Sequence, residues 1–171
     1  MLRKLTALSV LALSLFAAKA AHAEDWYMVS AYDFVPQDNK IVVSTRGAYV
    51  TNTTGWTHIR AVVRIPHNKT FNGLYCQITD TSAAKDLKVT LMEQRSTDDG
   101  SVFYIRDIMS VTSSGAPFHT KLWTATVTGP GSAYTNAWTC NGTCTYYSYY
   151  LDAYLPDTSN TAVKACAISY I

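Results

Sequence analysis

The chain of 171 residues is rich in apolar residues, at 48%, and carries few charges, with a formal net charge of +2. This length fits about one domain that is large enough to bury a real core. The near-neutral charge excludes the strongly basic surface expected of a nucleic-acid-binding protein.

Residues 1–23 have the pattern of a secretory signal peptide. A basic start precedes an uncharged apolar run from Leu5 to Ala18, and Ala21-His22-Ala23 then matches the small-x-small cleavage signature. The run is short for a transmembrane helix, so an uncleaved anchor is the less favoured alternative. We expect an exported protein, secreted or periplasmic, in which residues 24–171 form a single domain with no transmembrane segment.

Removal of this leader changes the charge of the protein. It takes away Arg3, Lys4 and Lys19 and leaves 11 basic residues against 12 acidic ones, a net charge of −1. We therefore expect no nucleic-acid partner. The compact basic start and the Ala-His-Ala end are typical of a bacterial leader.

Four cysteines follow the leader, and an even number in an exported protein predicts disulfides. Four cysteines allow three pairings. We favour Cys140–Cys144, which closes a tight loop around Gly142, together with Cys76–Cys166, which links two strands distant in sequence. Zinc is the competing interpretation, but C-x3-C is not the usual zinc spacing, so no metal site is predicted.

The segments after the leader alternate between apolar and polar residues in short runs. Trp56 to Ile65 is the clearest predicted strand, because period-two alternation with one apolar face indicates a half-buried strand. One face holds Ile59, Ala61, Val63 and Ile65, and the other holds His58, Arg60 and Arg64.

Further strands are predicted from Leu74 to Thr79, with Cys76 facing inward, and from Leu87 to Leu91. Thr97-Asp98-Asp99-Gly100 is a strong hairpin signal. The returning strand is predicted over Val102 to Val111, although the adjacent charged residues Arg106 and Asp107 place one charge on each face, so neither face is uniformly apolar.

The C-terminal stretch from Cys140 to Ile171 predicts two long strands joined by a polar turn. The core face of the first strand holds Thr145, Tyr147, Tyr149, Leu151, Ala153 and Leu155. Its other face holds Tyr146, Ser148, Tyr150, Asp152 and Tyr154. In the last strand, Cys166, Ile168 and Tyr170 share one side.

Together these segments predict an all-β fold of about eight or nine strands with recurrent turn signals. We expect a two-sheet antiparallel β-sandwich, jelly-roll-like, with two disulfides. The C-terminal strand should be central to closing the sandwich.

Several stretches are similar to parts of a known module. They are Val63-Arg64-Ile65-Pro66, Leu74 to Asp80, Leu87 to Leu91, Tyr147 to Leu151, and Ala167-Ile168-Ser169-Tyr170. Over residues 56–171 the chain resembles a recurring, poorly characterised β-sandwich module of secreted bacterial proteins. The resemblance implies the fold and assigns no functional residue. A penultimate tyrosine and an apolar last strand also look like pilus subunits, but the early cysteine pair and the donor segment of those subunits are missing.

Catalytic motifs are not found in the sequence. His58, His67 and His119 lack paired ligand spacing, and there is no G-x-S-x-G, H-E-x-x-H or phosphate-binding glycine loop. The sequence therefore favours a non-catalytic protein without a cofactor. A hydrolase with a dispersed carboxylate pair is an alternative, because scattered acids can meet across a sheet.

The remaining chemical signal is aromatic. Tyr146, Tyr150 and Tyr154 line one strand face with Asp152 among them, and Trp138 and Tyr134 lie just upstream. Such residues suit a flat sugar face or a protein partner. The competing interpretation is that another part of the chain covers them.

We therefore predict an exported binding or surface-interaction module, with carbohydrate or a surface protein as partner. The alternative is a self-associating structural subunit of an envelope or extracellular assembly.

Overall fold

The computed structural model describes residues 24–37, 41–44, 49–52, 56–80, 82, 85–98, 103–113, 118–126, 138–156 and 161–171. The predicted signal peptide and Tyr134 lie outside the described residues. In the described ranges the chain forms twelve strands, more than the eight or nine expected, and one short 3-10 helix, Ala31–Asp33. The strands are β1 Asp25–Ser30, β2 Val35–Pro36, β3 Ile41–Ser44, β4 Tyr49–Asn52, β5 Thr57–Val63, β6 Phe71–Asp80, β7 Lys88–Thr97, β8 Phe103–Thr112, β9 Phe118–Thr126, β10 Trp138–Asn141, β11 Thr143–Leu155 and β12 Thr161–Tyr170.

The strands form two antiparallel sheets. The first, called here the β12 sheet, has the order β3-β4-β12-β6-β9, with β1 also paired to β12. The second, the β11 sheet, has the order β2-β5-β11-β7-β8, with β10 also paired to β11. This arrangement confirms the predicted all-β, two-sheet antiparallel sandwich of jelly-roll-like type.

The C-terminal strand β12 lies in the middle of its sheet, as predicted. It pairs with β6 along one edge, and with β4 and then β1 along the other. Asp25 lies opposite Tyr170, so the first and last described strands are neighbours. No helix in the described part of the chain is long and apolar enough to cross a membrane.

The core lies between the two sheets and follows the predicted alternation. Ile59, Ala61 and Val63 of β5 are buried, while Ile65 lies beyond the strand and is partly buried against the core. In β6 and the segment leading into β7, the buried apolar positions are Phe71, Leu74, Cys76, Ile78, Leu87, Val89 and Leu91. A period-two pattern places one parity of each strand against the facing sheet. Phe71 and Leu74 have opposite parity, and both are buried because the register of β6 with β12 shifts by one residue between them.

Both predicted disulfides are present. Cys76 and Cys166 face each other across neighbouring strands β6 and β12, and both are fully buried. Cys140 and Cys144 join β10 to β11. Gly142, between them, has a φ of 88°, a left-handed conformation that glycine adopts without a steric penalty.

A β-bulge in the β7–β8 hairpin changes which side chains face inward. The pairing register shifts between Leu91 and Met92 and leaves one extra residue in β8. Such a bulge moves the alternation by one position. Arg106 thereby lies on the same side as its partner Glu93, while Asp107 is exposed. In the sequence, Arg106 and Asp107 place a charge on each face of the strand. The bulge lets Arg106 pair with the buried Glu93 while Asp107 stays in solvent.

Asp80, at the end of β6, is a fully buried carboxylate that closes one end of the sandwich. Its Oδ1 accepts a hydrogen bond from the backbone N–H of Ser82 at 2.8 Å, and its Oδ2 accepts one from the Ser113 hydroxyl. The Ser113 hydroxyl oxygen also lies 2.8 Å from the backbone nitrogen of Leu87. This network ties the start of β7 and the end of β8 to β6.

Replacing each disulfide by two alanines should lower the free energy of unfolding by different amounts. The Cys76–Cys166 bond spans a sequence separation of 90 residues and the Cys140–Cys144 bond only 4. The chain-entropy model gives a loss of about 4–5 kcal/mol for the first and about 2 kcal/mol for the second. Urea unfolding of both double variants would measure the two losses. Equal losses would contradict this account.

Replacing Asp80 by alanine should lower the free energy of unfolding by about 2–3 kcal/mol, because buried donors would be left without their acceptor. Asp107→Ala is the matched control. Its carboxylate is exposed and lies 3.8 Å from the ammonium of Lys88, so we expect a change of less than about 1 kcal/mol. Urea titration of both variants measures the difference, and equal effects would show that the Asp80 network is not stabilising.

Candidate functional site

Strand β11 places four of the predicted site residues, Tyr146, Tyr150, Asp152 and Tyr154, on the side of its sheet that faces away from the core. Its inward side chains Tyr149, Leu151, Ala153 and Leu155 are buried, as predicted, whereas Tyr147 is only partly buried. On the other side, Tyr146 is 47% exposed, and Tyr150 and Tyr154 are of intermediate burial. We call this outer side of the β11 sheet the tyrosine face.

Asp152 is the best-fixed polar group on the tyrosine face. Its Oδ1 accepts a hydrogen bond from Nε of Arg60 at 2.8 Å, and its Oδ2 lies 2.7 Å from Nδ1 of His58. The Asp152 side chain is only 15% exposed, so solvent screens these contacts less than it would at an open surface. The hydrogen bond to Asp152 raises the pKa of Arg60 above its ordinary value, although burial acts in the opposite direction.

Aromatic rings extend from this cluster in both directions along the face. The rings of His58 and Tyr154 are 5.4 Å apart, and the Trp56 ring meets the His58 ring edge-on at 6.2 Å. The guanidinium carbon of Arg60 lies 5.2 Å from the centre of the Tyr150 ring, within the range of a cation–π contact. The result is a row of aromatic and ion-paired side chains across β5 and β11.

Trp56 belongs to this row and was not predicted as a site residue. It is 60% exposed, although tryptophan is usually largely buried. A signal exists in the sequence, because Trp56 lies two positions before His58 and therefore continues the polar face of β5. A tryptophan in phase with polar rather than apolar neighbours indicates a surface role.

A groove of about 530 Å³ opens on the tyrosine face beside Tyr150. Val35 of β2 pairs with Arg60 of β5, which brings the N-terminal segment alongside. The hydroxyl of Tyr27 donates a hydrogen bond of 3.5 Å to the carbonyl of Val62. The groove is lined by Tyr27, Asp33, Val35, Gln37, Arg60, Val62, Arg64, Gln94, Ser148, Tyr149 and Tyr150.

The structure describes one of the two upstream aromatic residues predicted for the site, Trp138, and not the other, Tyr134. Trp138 begins β10, and its backbone lies opposite Tyr146 in the register of β10 with β11. The fold thus brings the Trp138 position next to one end of the tyrosine face. Tyr134 lies outside the described residues.

Metal binding is not indicated on this face. Within the part of the chain that the structure describes, no three His, Cys, Asp or Glu side chains come together as a metal site requires. His58 is instead engaged by Asp152.

Comparisons with known proteins give similar folds but no family. No protein-family model matches the chain, and no curated protein matches its sequence. The chain is similar to CsCBM6-3 from Clostridium stercorarium, solved in complex with cellobiose, with a TM-score of 0.43 and 7% identity over 82% of this chain and 90% of that one. A family 22 carbohydrate-binding module of Clostridium thermocellum Xyn10B has a TM-score of 0.41 and 15% identity over 90% of this chain and 96% of that one.

A third similar structure, from the Gx strain of infectious bursal disease virus, has a TM-score of 0.24 and 11% identity over 86% of this chain and 41% of that one. All three TM-scores lie below 0.5 and all three identities below 25%. The likenesses therefore fix neither a family nor a ligand for this chain.

The phenol of Tyr150 should titrate above about 10, the usual value for tyrosine. Burial raises the pKa of Tyr150, and the positive charge of Arg60 partly opposes this effect. Arg60→Gln should therefore raise the Tyr150 pKa further, because the charge that favours the phenolate is lost. NMR titration of the ring-labelled tyrosines would measure the Tyr150 pKa in the unchanged protein and in the variant. A lower Tyr150 pKa in the variant would contradict this account.

Proposed function

We propose that this chain is an exported, non-catalytic binding module that holds carbohydrate on the tyrosine face. One observation carries the proposal. Exposed aromatic rings lie on the outer side of the β11 sheet, next to an ion-paired cluster and an open groove of about 530 Å³. Small-molecule sites combine apolar and aromatic walls with a few fixed polar groups in this way.

The aromatic side chains suit a sugar for a physical reason. A pyranose ring presents a face of C–H groups, and the large, flat surface of Trp or Tyr can cover that face while its polar atoms stay in water. Trp56 and Tyr146 are exposed rings of the face, and Tyr150 lines the groove. They supply the contact area that a sugar needs.

The polar cluster suits the hydroxyls of the same ligand. Asp152 is held by Arg60 and His58, so its position is fixed before a ligand arrives. Fixing a site in advance lowers the entropy that is lost on binding. Gln37 and Gln94 add amide donors and acceptors along the groove.

The predicted leader and two disulfides support an exported location, since disulfides persist in oxidising compartments. The hydrolase alternative finds no support on this face. Asp152 is bound to Arg60 and His58, and Asp33 accepts hydrogen bonds from the backbone and hydroxyl of Ser30. Asp107, on the same outer side, lies 3.8 Å from the ammonium of Lys88. These three carboxylates are therefore already engaged by neighbours.

A glycan array probed with the purified protein, followed by calorimetry on the best neutral sugar, tests the proposal. Trp56→Ala and Tyr150→Ala should each weaken binding about tenfold or more, as truncation of a central aromatic contact does. Trp26→Ala is the matched control, because Trp26 is also exposed but lies on the β12 sheet. It should bind as the unchanged protein does.

Two outcomes would overturn the carbohydrate assignment. One is the absence of binding across a varied array of glycans. The other is equal weakening by Trp56→Ala and Trp26→Ala, which would place the sugar away from the tyrosine face. Co-purification of a protein partner that is released by Trp56→Ala, with no glycan bound, would assign the face to protein recognition instead.

A further inference from the structure

A second group of charged side chains lies on the opposite side of the β11 sheet from the tyrosine face. Glu93 is only 1% exposed, and its two carboxylate oxygens accept hydrogen bonds from Nε of Arg95 at 2.6 Å and Nη2 of Arg106 at 3.0 Å. We call these three residues the Glu93 cluster. Arg106 joins it because of the bulge in β8, which turns this arginine to the side of Glu93.

Arg95 is held between two tyrosine rings. Its partners in the register are Tyr147 of β11 and Tyr104 of β8. The guanidinium carbon lies 5.1 Å from the centre of the Tyr147 ring and 5.0 Å from that of Tyr104. Two aromatic neighbours and a carboxylate on Nε fix the plane of the guanidinium group.

The cluster has more donors than acceptors. One carboxylate faces two guanidinium groups, so the three side chains of the Glu93 cluster carry a net positive charge. Glu93 occupies Nε of Arg95, and no hydrogen bond joins the two terminal nitrogens of that arginine to any described residue. Nε of Arg106 is buried and also lacks a hydrogen-bond partner in the same part of the chain. A buried or half-buried donor without an acceptor is a place where an anion is stabilised.

A groove of about 300 Å³ lies directly against Arg95. This volume is at the lower end of the range for small-molecule sites, about 300–1,000 Å³. Thr97, Tyr104, Thr145 and Tyr147 carry hydroxyl groups on the same side of the sheet as Arg95, whereas Ser96 pairs with Tyr146 and lines the groove through its backbone. The lining residues are Arg95, Ser96, Thr97, Tyr104, Thr145 and Tyr147.

We propose that this groove is a second binding site, separate from the tyrosine face, that takes the carboxylate of an acidic sugar. The terminal nitrogens of Arg95 form a planar pair of donors, and a carboxylate matches such a pair in a bidentate contact. The hydroxyl groups along the wall are donors and acceptors for the sugar hydroxyls. The exposed ring of Tyr104 provides an apolar surface for the sugar ring.

The size and chemistry of the groove favour a uronic acid over a simple inorganic anion. Sulfate or phosphate would use the charge of Arg95 but would leave the hydroxyl-lined wall without a ligand. A uronic acid carries both its carboxylate and ring hydroxyls in one small molecule. The proposal does not depend on the tyrosine face, because the two sites lie on opposite sides of the same sheet.

Calorimetry with trigalacturonate tests the site in the full-length protein, with its fully methyl-esterified form as the uncharged counterpart. We expect the free acid to bind at least tenfold more tightly than the ester. Raising the salt concentration should weaken binding of the acid, because screening reduces the contribution of Arg95.

Arg95→Lys is the central variant, because it keeps the positive charge beside Glu93 but removes the planar donor pair and the stacking. It should weaken binding of trigalacturonate about tenfold while thermal unfolding shows a folded protein.

Tyr104→Ala should also weaken binding of trigalacturonate. Its matched control is Tyr32→Ala, an exposed tyrosine in the 3-10 helix, which should bind normally.

The proposal is overturned by any of four results. The first is that the methyl ester binds the protein as tightly as the acid does, and the second is that folded Arg95→Lys binds trigalacturonate as tightly as the unchanged protein. The third is that inorganic sulfate competes for the site as strongly as galacturonate. The fourth is that a polyglutamate peptide binds the protein more tightly than trigalacturonate. Trp56→Ala separates this test from that of the tyrosine face. It should leave trigalacturonate binding unchanged, and a loss would place this ligand on the tyrosine face and overturn the second site.

Discussion

The two-sided pairing of β11 is the constraint on which the other features of this protein depend. This strand of 13 residues is bonded along one edge to β7 and along the other to β5 and β10. A strand held on both edges cannot slip by one residue without turning its whole core face to solvent. Because Leu151, Ala153 and Leu155 are fixed in the core, Tyr150, Asp152 and Tyr154 have to lie on the outer side.

The same constraint gives the two sides of the β11 sheet different chemistry. On the outer side, the charge of Asp152 is matched by Arg60, and aromatic rings surround the pair. On the inner side, beyond the core, Glu93 is outnumbered by Arg95 and Arg106. An outer face with balanced charges suits neutral ligands, whereas a cluster with a net positive charge suits anions. One sheet thus offers two surfaces with different preferences.

Two buried carboxylates show how differently this fold treats a charge in its interior. Asp80 is surrounded by donors that belong to the fold itself, the backbone of Ser82 and the hydroxyl of Ser113, and these bonds hold strand ends together. Glu93 is bound instead by two long cationic side chains, of which Arg95 lines a groove. Burying a charge costs free energy unless the charge is paired. In both places the fold therefore supplies the partners of the carboxylate. Only the Glu93 site borders a groove lined by one of its own cations.

Local periodicity, which needs no knowledge of neighbouring strands, was enough to predict the β-sandwich and the inward and outward parity of β5, β6 and β11. The cysteine count predicted disulfides but left three pairings open, and the register of β6 with β12 and of β10 with β11 selects Cys76–Cys166 and Cys140–Cys144 among them. Tertiary structure alone decided which polar residues meet. His58 and Asp152 are 94 positions apart in the chain, and Arg106 reaches Glu93 only because of a bulge. Cross-strand contacts depend on strand order and register, which are set by the packing of the whole sandwich and leave no signal at the individual positions.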